Sequence, residues 1–119
     1  MIYRNLLLLM LVYAPLAASE PLPDAIETPP NPVGGYEALV ANIEYPETAR
    51  LAGVEGTVIV NVYVNELGQV TQTVVLQGVR RTGLDEAALA GIRKTRFTPA
   101  HQDSVALGMW IAIPVTFRL

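Results

Sequence analysis

The sequence predicts an α+β domain with two short helices, a β-hairpin, a longer helix and a final edge strand in a three-stranded antiparallel or mixed sheet. Three observations carry this prediction. Valine recurs at every second position from Val58 to Val64, with Thr57, Ile59, Asn61, Tyr63 and Asn65 between, which is the period of a half-buried strand. Leu84, Ala88 and Ile92 then fall on one helical face, with the small Gly91 beside them. From Met109 the period returns to two, placing Ile111, Ile113, Val115 and Phe117 opposite Trp110, Ala112, Pro114 and Thr116.

In chain order, the first segment is an export signal. Arg4 precedes an unbroken apolar run from Leu6 to Tyr13, and Ala17-Ala18-Ser19 supplies small residues at cleavage spacing. A bilayer span needs about 20 apolar residues, and Pro15 ends this run early, so residues 1–19 read as a signal peptide. The alternative is an inner-membrane anchor made by an uncleaved amino terminus. Residues 20–33 hold Pro21, Pro23, Pro29, Pro30 and Pro32 among acidic residues with no apolar period, the composition of an extended, disordered linker. The folded domain is expected over residues 34–119.

Within that domain Ala38, Leu39, Asn42 and Ile43 recur at helical spacing until Tyr45-Pro46 interrupts. Pro46 suits the first position of a second short helix that ends before Gly53. The Val58 strand follows, then a turn at Glu66-Leu67-Gly68, where Gly68 can take a positive φ angle, and a return strand from Gln69 to Gln77. Gly78 to Gly83 reads as a loop. Thr82 or Gly83 can cap the long helix, Asp85-Glu86 suits its positive end, and Arg93-Lys94-x-Arg96 suits its negative end. Phe97 and Pro99 stop the helix, and Ala100 to Gly108 reads as a loop before the last strand.

Charge and composition narrow the function. The net charge is −3, and cleavage after Ser19 removes Arg4 alone and makes it −4. Nucleic acid and anionic membranes reward clustered Lys and Arg, so neither is expected as the main partner. With no cysteine and the single histidine His101, the chain offers neither a disulfide framework nor a zinc ligand set. No catalytic residue, metal or cofactor is expected, since His101 has only its loop neighbours Asp103 and Ser104 for a triad.

The last strand is the expected working surface. Pro114 cannot donate a backbone hydrogen bond, which suits an edge, and Met109 to Phe117 carries no charge to guard that edge. The simplest sheet puts the Val58 strand in the middle. Its uncharged edge is then covered by the proline-rich segment, by a loop or by a second copy, or it receives an extended peptide from a partner.

Five landmarks lie along this stretch: Tyr45-Pro46, Gly53-x-x-Gly56-Thr57-Val58, Leu84-Asp85-x-Ala87-Ala88, Phe97-Thr98-Pro99-Ala100 and Pro114-Val115-Thr116-Phe117. Together they resemble the C-terminal domain of the TonB family. The resemblance implies a periplasmic domain that docks a box-like peptide of an outer-membrane TonB-dependent transporter by strand addition, in support of energy-coupled transport. It implies partner-binding roles for Tyr45 and Pro46 and for Gly108, Met109, Trp110, Ile111, Ala112, Ile113, Pro114 and Val115. Inner-membrane motor proteins are the further implied partners. The alternative function is a structural or assembly module that homodimerises through the same edge without energising transport.

Overall fold

Val58, Val60, Val62 and Val64 are all fully buried, and the sheet they anchor orders everything around it. The computed structural model describes residues 27–119; the signal-peptide reading of residues 1–19, and the beginning of the proline-rich segment, lie outside them. In chain order the elements are β1 (Asn31–Pro32), α1 (Tyr36–Ala41), α2 (Glu47–Leu51), β2 (Gly56–Val64), β3 (Val70–Gln77), α3 (Leu84–Lys94), β4 (Phe97–Thr98), β5 (Ala100–Gln102), β6 (Val105–Leu107) and β7 (Met109–Phe117). The main sheet has the order β3-β2-β7, with both pairings antiparallel. The α+β class, the central position of the Val58 strand and the edge position of the last strand are as expected from sequence.

One face of the sheet carries the core. The β2 valines meet Leu84, Ala88 and Ile92 of α3, together with Ile113, Val115 and Phe117 of β7, while α1 contributes Leu39. Helix α3 approaches α1 so closely that a Cβ on Gly91 would stand 2.9 Å from the Asn42 carbonyl oxygen. The joint is completed by Thr95, whose hydroxyl donates to the Gly91 carbonyl and accepts from the Asn42 amide, both at 2.9 Å. Pro46 is the residue preceding α2, with extended backbone angles, one position earlier than the sequence suggested. Gly83 holds the corresponding place before α3, and the Thr82 hydroxyl accepts the Leu84 N–H at 3.2 Å, so both capping candidates take part.

Two segments differ from the sequence expectation. The proline-rich stretch is held in place over its described part: β1 pairs with β4, the Val33 N–H donates to the Arg96 carbonyl at 2.8 Å, and the Glu27 N–H donates to the His101 carbonyl at 2.9 Å. Proline favours the extended conformation, and the non-proline residues between supply the few donors that such a segment has left. The stretch expected as a loop between Ala100 and Gly108 contains the small hairpin β5–β6. Its turn at Asp103-Ser104 has φ of 52° and 64°, the two positive values of a primed hairpin turn made without glycine.

The register yields a direct test. Truncating Val60 to alanine opens a cavity under α3 and is expected to cost about 1 to 3 kcal/mol. Asn61→Ala, on the opposite face, is expected to stay within about 0.5 kcal/mol. Urea denaturation of the two variants measures both.

Candidate functional site

The register of β7 decides which of its groups are available. In an antiparallel ladder the N–H and C=O of one residue point to the same side, and the side alternates along the strand. Pro114 accepts a hydrogen bond at its carbonyl from the Tyr36 hydroxyl, 2.6 Å away on the far side from β2, so Pro114 faces outward. Trp110, Ala112 and Thr116 share its parity. Their backbone groups point to the open edge, whereas Met109, Ile111, Ile113, Val115 and Phe117 bond to β2 opposite Val64, Val62, Val60, Val58 and Gly56. Among the described residues no group is bonded to the outward N–H of Trp110, Ala112 or Thr116.

Tyr36 stands across this edge and divides it. On one side lies a groove lined by Val40, Ile43, Tyr45 and Phe117 as well as Tyr36 itself. On the other, Pro30 and Pro32 face Ile111 to Pro114, with Leu39 and Phe97 beneath. Both grooves are mainly apolar. Among the described residues Arg118 is the one charged residue lining either of them, at the Phe117 end.

The residues singled out from sequence fall into four groups. Trp110, Ala112 and Pro114 present backbone to the edge, with their side chains on the exposed face of the sheet. There Trp110 meets Tyr63 edge to face at 5.4 Å between ring centroids. Ile111, Ile113 and Val115 spend their backbone groups on β2 and their side chains on the core, so they shape the groove from beneath. Met109 pairs with Val64, and Gly108 precedes the strand, where a side chain would overlap the Tyr63 ring hydroxyl.

Tyr45 and Pro46 part company. Tyr45 reaches the groove, packs edge to face on Phe117 at 5.4 Å, and donates its hydroxyl to the Val54 carbonyl. Burial, and then the nearby Glu55 carboxylate, hold its phenol above the usual range, so it remains a neutral donor at physiological pH. Pro46 lies instead beside Gly83 and lines a separate groove with Glu86 and Ala87 at the start of α3. Sequence reasoning offered the proline-rich segment as one cover for this edge without singling out Pro30 or Pro32, and it missed Tyr36 and Val40. Nothing local marks them, because their roles come from the passage of α1 and β1 over a strand about 80 positions later, as in the Tyr36 to Pro114 separation of 78.

A family model described as Gram-negative bacterial TonB protein C-terminal matches residues 41–119. The chain belongs to the TonB C-terminal family. Among curated relatives, TonB2 of Pseudomonas aeruginosa is 36% identical over 76 residues, covering 64% of this chain and 28% of that protein. TonB of Vibrio cholerae is 33% identical over 75 residues, covering 63% and 31%. The chain therefore matches less than a third of the length of these relatives. Among solved structures, the TonB C-terminal domain of P. aeruginosa aligns with a TM-score of 0.56 at 23% identity, over 65% of this chain and 78% of that one. The Helicobacter pylori TonB C-terminal domain gives 0.54 at 26% identity, over 68% and 85%.

The TonB-type framework also absorbs His101. It sits in β5, where its backbone N–H donates to the Thr28 carbonyl at 2.9 Å. Among the described residues no group of three His, Cys, Asp or Glu side chains is placed to hold a metal, and no helix is long and apolar enough to cross a membrane.

Proposed function

We propose that this TonB-type domain works in the periplasm, where the β7 edge receives an extended, box-like segment of an outer-membrane TonB-dependent transporter as an added strand. The observation that carries the reading is the row of outward N–H groups at Trp110, Ala112 and Thr116, unbonded among the described residues, on a strand without charge. An incoming backbone exchanges bonds with those residues, and its alternate side chains enter the groove between Pro32 and Ile111. Linked to inner-membrane motor proteins, such a joint transmits force to the transporter and supports energy-coupled transport.

The edge is not fully open, because the Tyr36 hydroxyl holds the Pro114 carbonyl. A peptide first pairs beside Trp110 and Ala112, then takes over the Pro114 carbonyl from the Tyr36 hydroxyl. Tyr36→Phe removes this competitor while keeping the ring, so it is expected to tighten binding by about two- to tenfold, the worth of one ordinary hydrogen bond. A short strand buries little surface, so the parent affinity is expected near the micromolar range. Calorimetric titration with seven-residue box peptides from transporters of the same organism measures both quantities. No binding by the parent protein to any such peptide would remove the transporter reading in favour of the assembly module.

A further inference from the structure

We propose that the opposite edge of the same sheet, along β3, is a second strand-docking site, selective for an extended segment that carries carboxylates at alternate positions. The proposal does not rest on the role given to β7. Strand β3 is the outermost strand on its side, and its sequence VTQTVVLQ has neither charge nor proline. An edge of that kind is usually blunted by one or the other. Neither is present here, and the register shifts against β2 at Ile59/Val60 and Tyr63/Val64 bound a regular stretch from Gln72 to Val75.

The ladder fixes which of its groups are free. Because Val60 and Val62 face β7, Asn61 and Tyr63 turn their backbone groups to β3, where they meet Val74 and Gln72. Thr73 and Val75 therefore turn theirs outward. The side chains of Thr73 and Val75 share the sheet face of their partners Val62 and Val60, the face that α3 covers. From the last turn of α3, Arg93 donates through Nη2 to the Thr73 hydroxyl at 3.1 Å, so its guanidinium hangs over the outward donors.

Arg96 flanks the same groove further along, beside Gln69, Val70, Thr71 and Thr95. Both arginines are exposed, and neither has a carboxylate partner: among the described residues the one ion pair joins Glu47 to Arg50. Among the described residues no acidic side chain lines the groove on either side of Arg93. In a protein of net charge −3, two cations without a carboxylate partner among the described residues therefore stand above this strand edge. A strand added along Gln72 to Val75 directs every second side chain to the α3 face, so carboxylates at alternate positions meet Arg93, with Arg96 beyond the register shift at Tyr63/Val64, as charge-assisted hydrogen bonds.

The same geometry decides against a second copy of this chain. Two-fold pairing of β3 on β3 places the Thr73 regions side by side and brings the two Arg93 guanidinium groups together. Like charges facing across strands are destabilising. The occupant is thus an acidic extended strand of a different protein, whereas the β7 edge, with its apolar grooves, suits a less charged one.

The test uses three synthetic eight-residue probes of alternating valine with glutamate, glutamine or lysine, titrated into 15N-labelled protein and followed by NMR. The glutamate peptide is expected to shift the amides of Thr71 to Val75 and the side-chain Nε of Arg93, and to bind at least about tenfold more tightly than the glutamine peptide. Arg93→Glu is expected to reverse the order, with the lysine peptide binding best. Binding is expected to persist in Ala112→Pro, whose β7 edge is blocked. Shifts confined to Trp110 to Thr116, equal affinities for the glutamate and lysine probes, or no binding of the glutamate probe by the parent protein would overturn the proposal. Because the glutamine and lysine comparisons use the parent protein, they decide the matter even if a variant misfolds.

Discussion

Ala112→Pro is expected to abolish binding of transporter peptides while leaving the domain folded, and Ile111→Pro is expected to damage the fold itself. The two residues are adjacent and similar in strand position, but their N–H groups point in opposite directions. The Ala112 N–H faces the open edge, so proline removes a bond made only with the partner and sets a ring where the added strand must approach. Pro114 already occupies an outward position two residues away, and the strand there is regular. The Ile111 N–H instead bonds to β2 opposite Val62, and its loss, with the ring pressed into the central strand, is expected to cost on the order of 3 kcal/mol. Calorimetric titration separates the binding effect, and thermal denaturation the folding effect. Unimpaired binding by a folded Ala112→Pro protein would move the partner site away from β7.

The largest expected loss of stability is at Gly68. Its φ is +79°, and a Cβ there would overlap the Phe97 carbonyl oxygen. The close approach is held from both sides: the Gly68 carbonyl accepts the Phe97 N–H at 3.0 Å, and its own N–H donates to the Asn65 carbonyl at 2.9 Å. Gly68→Val combines a disfavoured backbone angle with a clash against main chain, and is expected to cost on the order of 3 to 5 kcal/mol in urea denaturation. It is also expected to loosen β4, and with it β1, whose Pro32 lines the groove beside Ile111. A loss below about 1 kcal/mol would show that the hairpin turn is not docked on β4.

Periodicity made the main sheet and its helix legible. The valine alternation of β2 and the Leu84, Ala88 and Ile92 stripe each state a buried face within one short window. Pro114 gave the edge, because a missing donor is a property of one residue. The small pieces were not legible: β1, β4 and the β5–β6 hairpin are two or three residues each, too short for a period to show. Asp85 is instructive in the same way. Its place at a helix start suggested a dipole role, yet its Oδ1 also accepts the Val79 N–H at 2.9 Å and folds the preceding loop onto the helix.

The candidate site divides along the same line. A run from Gly108 to Val115 could be marked from sequence, but a strand offers only every second backbone group to one side. Which half is free is set by the register on β2, and it shows in a contact 78 positions apart, the Tyr36 hydroxyl on the Pro114 carbonyl. Tyr45 and Pro46 are neighbours in sequence and were grouped for that reason. A chain that turns between them sends one toward Phe117 and the other toward Gly83.

Amide hydrogen exchange at β7, measured with and without a saturating transporter peptide, tests the strand-addition claim most directly. In the free protein the outward amides of Trp110, Ala112 and Thr116 have no acceptor among the described residues and are expected to exchange quickly, while Ile111 and Ile113 are protected by β2. Bound peptide is expected to slow Ala112 strongly, and Trp110 or Thr116 with it according to the reach of the peptide, leaving Ile111 and Ile113 at their already slow rates. Saturation without any added protection at Ala112 would contradict an added strand at this edge.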